Sequence, residues 1–333
     1  VEANLMKSIV PILLASAAMF VSNMAAAAPN VVVSIKPVHS LVAAIMQGVA
    51  EPKLIVDGAA SPHTYSLKPS NAKAIESADV VFWVGHGLEA FLEKPLEALA
   101  SKASVVELDE ARGLEKLKFR EGGAFEKHVH DDEHADGDGE HKDGHDHGKA
   151  EHAHDDGHDH DHGEYDMHLW LDPMNAKAMA AEIERTLLAA DPANAATYQE
   201  NAKNLMMRLD ALDTEIAETI KPVKDRPFVV FHDAYQYFEH RYNVVTAGSI
   251  TVSPETMPGA ERIKQIHAKV RELGATCVFA EPQFEPKLVR VVTEGTEAKS
   301  ATLDPEAATL TPGPDLYFDL MRGIAASLRN CLS

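Results

Sequence analysis

Twice along this chain, short β-branched runs alternate with segments of helical spacing, and that repetition restricts the fold more than any other feature. The first series holds VVVSI (31–35), KLIVD (53–57), DVVFWVG (79–85) and SVVEL (104–108), separated by KPVHSLVAAIMQGV, NAKAIESA and LEAFLEKPLEALAS. The second holds PFVVFHD (227–233), NVVTAGSI, TCVFAE (276–281) and KSATLD, separated by AYQYFEHRY, PGAERIKQIHAKVREL and EPKLVRVVTEG, and it closes on PDLYFDLMRGIAASLRN. Strands that read as continuous apolar runs are buried on both faces, and strands alternating with helices form parallel sheets covered by those helices. The expected fold class is α/β: two lobes, each with a mostly parallel sheet flanked by helices.

Between the two series lie helix formers. Asp172-Pro173 starts NAKAMAAEIERTLLAA, and a second Asp-Pro start opens DPANAATYQENAKNLMMRLDALDTEIAETI (191–220). The latter would span about 45 Å as one helix, long enough to join two lobes rigidly. The expected organisation is a leader over 1–28, a first lobe over 29–190, a linking helix over 191–222 and a second lobe over 223–333. A chain of 333 residues is long enough for two such units.

The first lobe is interrupted over 121–165 by a tract of His, Asp, Glu and Gly. Its histidines are His128, His130, His134, His141, His145, His147, His152, His154, His158, His160 and His162. With no apolar face to bury, it cannot offset the entropy of ordering, and the expectation is a disordered loop. His-rich tracts bind metal ions, so it is expected to hold them weakly; a plain acidic linker is the alternative. From His128 to Asp166 there are 15 acidic residues against Lys142 and Lys149, so most of the net charge of -21 sits there. An acidic chain with no basic stripe argues against nucleic acid and anionic lipid as partners.

Lys7 precedes the apolar stretch IVPILLASAAMFV, which ends in Ala25–Ala28 before Pro29. This is a secretory leader pattern with cleavage placed after Ala28, and it implies export. The two cysteines, Cys277 and Cys331, most simply form one disulfide in an oxidising compartment, worth about 4 kcal/mol by loop entropy.

Open α/β sheets bind ligands outside the carboxyl ends of their strands. That rule selects His63 after KLIVD, His168 in MHLWLDP, His232 at the end of PFVVFHD, and Asp304 after KSATL. Three imidazoles and a carboxylate would suit four-coordinate Zn²⁺. Asp304 precedes Pro305 and competes as a helix cap. His86 follows the third strand on a Gly-rich turn, and His39 starts the first helix as a supporting residue. Glu281 and Glu285 flank Pro282 and are explained by the turn alone.

The segments SIKPVHSLVAAI, DGAASPHTYSLKPS, ADVVFWVGHGLEAFL, MHLWLDP, FHDAYQYFE and FAEPQFEP together resemble the periplasmic zinc-binding proteins of ABC-type zinc importers, the ZnuA-like family. The resemblance covers nearly the whole exported chain and includes a His-rich loop at the same place. It implies a metal in the cleft between two lobes joined by one long rigid helix, held by His63, His168 and His232, and a Cys277–Cys331 disulfide. It further implies a monomeric, non-enzymatic carrier that takes Zn(II) as its transported ligand and delivers it to an inner-membrane ABC permease with a cytoplasmic ATPase. Where some members carry a glutamate before the first histidine, this chain has Pro62, which leaves Asp304, water or a tract histidine for the fourth position. Manganese-binding relatives place a carboxylate at the position of His232, so an imidazole there favours zinc. A periplasmic zinc buffer and a zinc hydrolase are the competing readings. The hydrolase is disfavoured because the chain has no HExxH and no evident general base beside the proposed ligands.

Overall fold

Val31–Val33 (β1), Lys53–Leu54 (β2), Val80–Trp83 (β3) and Ser104–Glu107 (β4) form one parallel sheet in the order β2-β1-β3-β4. Helices Lys36–Met46 (α1), Pro69–Glu76 (α2) and Glu93–Leu99 (α3) are the crossovers. The proline in LEAFLEKPLEALAS falls in the first turn of α3, where its missing N–H is not needed. Pro173–Ala190 (α4) and Ala195–Ile220 (α5) follow. The second sheet repeats the first: Phe228–His232 (β5), Thr246–Thr251 (β6), Cys277–Ala280 (β7) and Lys299–Thr302 (β8) lie parallel in the order β6-β5-β7-β8. Gln236–Tyr242 (α6), Ala260–Leu273 (α7), Lys287–Thr293 (α8) and Leu316–Leu332 (α9) flank it. In each sheet the chain reverses its direction of growth beside the first strand, and that is where a ligand crevice opens.

This computed structural model describes residues 28–120, 125, 164–251, 257–274, 276–284 and 286–333. Residues 1–27 of the expected leader and all eleven tract histidines lie outside them. Glu164 and Tyr165, at the far end of the expected loop limits of 121–165, are paired with the strand-like segment before the insertion. Lys118 and Tyr165 form an antiparallel bridge, Phe119 N donates to Glu164 O (3.1 Å) and Asp166 N to Leu117 O (2.9 Å). Backbone pairing and the Lys118–Glu164 ion pair, absent from a reading of side-chain composition, order the base of the insertion.

The linking helix is shorter than its sequence run. Asp191 ends α4, Pro192–Asn194 makes a single 3₁₀ turn, and Asp191 accepts from Tyr198 Oη and Asn194 Nδ2 (both 2.8 Å), so the α-helix starts at Ala195. Its 26 residues span about 39 Å. Tyr198, Ala202, Leu205, Leu209, Leu212, Ile216 and Ile220 recur every three or four residues and are buried, a stripe that α4 and α1 cover from the first lobe and α9 from the second. Lys36 also joins the lobes. Its buried amine donates to the carbonyls of Ala307 (3.1 Å), Ala308 (2.9 Å) and Leu310 (3.0 Å). Cys277 and Cys331 are disulfide-bonded, tying β7 to the end of α9. Among the described residues no helix is long and apolar enough to cross a membrane.

The period of two along a strand decides which side chains face the other lobe. In β5, Val229 and Phe231 join a small outer core with Ile266 and Val270 of α7, whereas Phe228 and Val230 belong to the large core that runs through both lobes. His232 shares the parity of Phe228 and Val230. In β7, Cys277 and Phe279 face the same inner core and Val278 the outer one, so Glu281 continues on the inner side.

Candidate metal centre

Ser61 starts a 3₁₀ turn, Pro62–Thr64, with its hydroxyl accepting from His63 N (3.3 Å), and this presents the His63 ring from the first lobe. His168 stands immediately before the buried turn Leu169–Leu171, which anchors it: Trp170 Nε1 donates to Pro305 O (2.9 Å) and Tyr317 Oη to Trp170 O (2.7 Å). His232 ends β5 of the second lobe. The three rings converge. His63 Nε2 and His232 Nε2 each lie 3.3 Å from His168 Nε2, and the nearest nitrogens of all three fall within 4.8 Å of one another. Among the described residues this is the one such group of histidine, cysteine or acidic side chains.

Two of the rings have their tautomer fixed from behind. His168 Nδ1 lies 2.7 Å from Asp166 Oδ1, which also accepts from His168 N (3.0 Å). His232 Nδ1 lies 2.7 Å from both oxygens of Glu281. An ionised carboxylate only accepts, so each Nδ1 carries the hydrogen and each Nε2 is left with a lone pair. Two lone pairs aimed at each other from 3.3 Å repel unless a cation lies between them. Nitrogens about 2.0–2.1 Å from a tetrahedral Zn²⁺ are separated by about 3.3–3.4 Å, so the spacing fits that ion.

The electrostatics divide the set. Burial, reinforced by the two neighbouring imidazoles, holds His63 well below its usual 6.5 and keeps it neutral. Burial also acts to lower His232, but the charge of Glu281 and the hydrogen bond to it prevail and raise the value.

Asp304 is not gathered with the histidines. Its Oδ1 accepts from Ala308 N (3.0 Å) and Gln283 Nε2 (3.2 Å), and its Oδ2 from Thr309 N (3.4 Å), so the carboxylate is used to cap the turn that follows β8. His86 turns toward Glu107 (3.5 Å) and Glu93 (3.9 Å), and His39 Nε2 toward Pro52 O (3.0 Å). Two supporting carboxylates escaped the sequence reading. Asp166 stands two residues before His168, a spacing that could have signalled it. Glu281 lies in a Pro-flanked turn that explains an acid by itself, yet it follows β7 at the level where β5, the neighbouring strand, ends in His232.

Two α/β lobes that each contribute imidazoles to one cluster define a cleft-type solute-binding protein of the metal-binding class. The family model of ZnuA, described as "Zinc-uptake complex component A periplasmic", matches residues 31–331, and the chain belongs to that family. The high-affinity zinc uptake system protein ZnuA of Brucella suis is 57% identical over 314 residues, covering 94% of each chain. Its namesake from Yersinia pestis is 36% identical over 96% of each. Among solved structures, a crystal structure of ZnuA superposes with a TM-score of 0.72 at 24% identity, covering 92% of this chain and all of that one, which shows a shared fold.

Proposed function

We propose that this protein captures Zn(II) in the periplasm with His63, His168 and His232 and hands it to an inner-membrane ABC permease driven by a cytoplasmic ATPase. The observation that carries the reading is the 3.3 Å spacing of Nε2 lone pairs whose rings are fixed by Asp166 and Glu281. Three imidazoles favour zinc over harder ions such as manganese, which prefer carboxylates. With Asp304 engaged in its turn, the fourth position is left to water or to a tract histidine. A site with an open position also suits a cargo that must be released.

The eleven tract histidines from His128 to His162 form an auxiliary, weaker store. Tethered ligands keep ions at high local concentration beside the cleft, which speeds capture when zinc is scarce. The chain acts as a monomer, and it carries the ion without chemical change.

The test is a zinc titration by calorimetry of the exported protein and of the His63→Ala/His168→Ala/His232→Ala variant. The expected result is one tight phase in the wild type that the variant lacks, with the weak phase kept in both. Tight binding that survives in the variant would move the main site to the tract and make the protein a buffer.

A further inference from the structure

A seam of polar contacts beside the imidazoles joins the base of the insertion to the second lobe. Arg120 places its guanidinium between two carboxylates of that lobe. Nε donates to both oxygens of Asp233 (3.0 and 2.9 Å), while Nη1 and Nη2 donate to Glu239 Oε2 (2.7 Å) and Oε1 (2.8 Å). Nη2 also pairs with Asp233 Oδ1, and the ring of Phe125 lies 4.1 Å from the guanidinium carbon. The Asp233 and Glu239 side chains are only 6% and 8% exposed. Alongside, Tyr237 Oη donates to Asp166 O (2.6 Å) and accepts from Leu117 N (3.0 Å), and Gln236 Nε2 donates to Lys118 O (2.9 Å).

Each end of this seam reaches a ligand candidate. Asp233 directly follows His232, and Asp166 is the residue that fixes the His168 ring. The seam therefore braces together two imidazoles that come from different lobes. Its centre is a forked guanidinium neutralising two buried carboxylates, an arrangement that a lysine ammonium cannot reproduce. Without the guanidinium, Asp233 and Glu239 would be two like charges side by side with little water, and the ion pairs that tie them to the first lobe would be lost.

We propose that Arg120 is a positioning residue for the metal: it latches the lobes in the arrangement that brings His232 Nε2 to His168 Nε2, and so sets how long a captured ion is held. The proposal rests on the three histidines being the zinc site. Because the latch acts on the assembled cleft, it governs escape of the ion rather than its first encounter with a lone pair. Its removal should speed dissociation and spare association.

The experiment is stopped-flow transfer of Zn²⁺ to a chromophoric chelator, together with association kinetics and the melting temperature of the metal-free exported chain. It compares wild type with Arg120→Lys and with the uncharged triple variant Arg120→Met/Asp233→Asn/Glu239→Gln, in which no carboxylate is left unpaired. The expected result is dissociation about 10- to 100-fold faster in both variants. Association should stay within about twofold of wild type. The triple variant should melt within a few degrees of wild type, which separates a positioning role from loss of folding. Dissociation unchanged in both variants would overturn the latch, as would an association rate that falls as much as dissociation rises. A wild-type protein with no slowly released ion would instead refute the zinc-site reading itself, before any variant is compared.

Discussion

Glu281→Gln should weaken zinc capture without touching a ligand. Both Glu281 oxygens lie 2.7 Å from His232 Nδ1, and the side chain is buried, so the carboxylate alone decides which ring nitrogen carries the hydrogen. Glutamine keeps the shape and removes the charge. In one orientation its carbonyl oxygen still accepts from Nδ1; in the other its NH₂ donates to Nδ1, which moves the ring hydrogen to Nε2 and blocks metal binding. Loss of such a supporting partner weakens binding by about 10- to 100-fold, or about 1.4–2.7 kcal/mol.

Proton competition gives this defect a signature in pH. Burial pushes the His232 pKa down, but the charge and hydrogen bond of Glu281 prevail and hold it above 6.5. In the wild type, zinc must therefore displace a proton from His232 once the pH falls through that raised value, and affinity drops there. In the variant the charge and hydrogen bond of Glu281 are gone, so the pKa falls from its wild-type value and His232 stays neutral to lower pH. His63 adds little to the competition, because burial and its two imidazole neighbours hold it well below 6.5. The affinity ratio of wild type to Glu281→Gln should thus be largest near pH 8 and shrink toward pH 6, on either side of the ordinary histidine value of about 6.5. Chelator-displacement calorimetry across that range measures it. No loss near pH 8, or a loss of the same size throughout, would refute the assignment of Glu281 as the partner of His232.

Glu89→Gln should stabilise the protein in alkali. Burial raises this carboxyl from the usual 4.5 to about 7, while it accepts from the N–H groups of Val84 and Gly85 (both 2.9 Å). The folded state therefore binds the proton more tightly than the unfolded state, and stability declines as pH rises from about 4.5 to about 7. The variant should gain up to about 3 kcal/mol above that window and nothing below it, as read by urea unfolding at two pH values. Reduction of Cys277–Cys331, which closes a loop over a separation of 54 residues, should cost about 4 kcal/mol in the same assay, and no change on adding reductant would count against it. Deleting residues 128–162 should leave one tight zinc ion and remove the weak phase. Loss of the tight ion on deletion would show that the tract supplies a ligand.

Fold class was legible because the two βα series carry their own signal: apolar runs such as VVFW and FVVF are buried strands, and the stripe of α5 repeats at helical spacing. Limits were less legible where backbone geometry decides them. Asn243, with φ of 51°, ends α6 in the left-handed region and delays β6 to Thr246, so the β-branched pair Val244-Val245 lies before the strand rather than in it. The strand-end rule also named the three histidines that the structure gathers, but it named Asp304 and His86 by the same logic. A position after a strand says that a side chain is near the crevice; it does not say whether a backbone N–H nearby will claim it first. Ala308 N and Thr309 N claim Asp304, and only the turn after β8 reveals that.

The carboxylates behind the histidines were missed for a related reason. In FVVFH and CVFAE every position is apolar up to the polar end, because both faces of a buried parallel strand are covered, so the sequence does not show which parity faces the other lobe. The alternation becomes informative only once α7 and α8 take the Val229, Phe231 and Val278 face and the two-lobed core takes the Phe228, Val230 and Phe279 face. His232 and Glu281 then follow together: same inner parity, neighbouring strands, adjacent ends. A buried histidine at one strand end and a buried acid at the next form an imidazole whose free nitrogen is aimed, and that pairing distinguishes His232 from His86. His86 reaches half-exposed carboxylates and shares no cluster with other imidazoles. The buried carboxylate behind the ring, read from strand register, thus separates His232 from His86, while His63 is identified by its convergence with the other two rings.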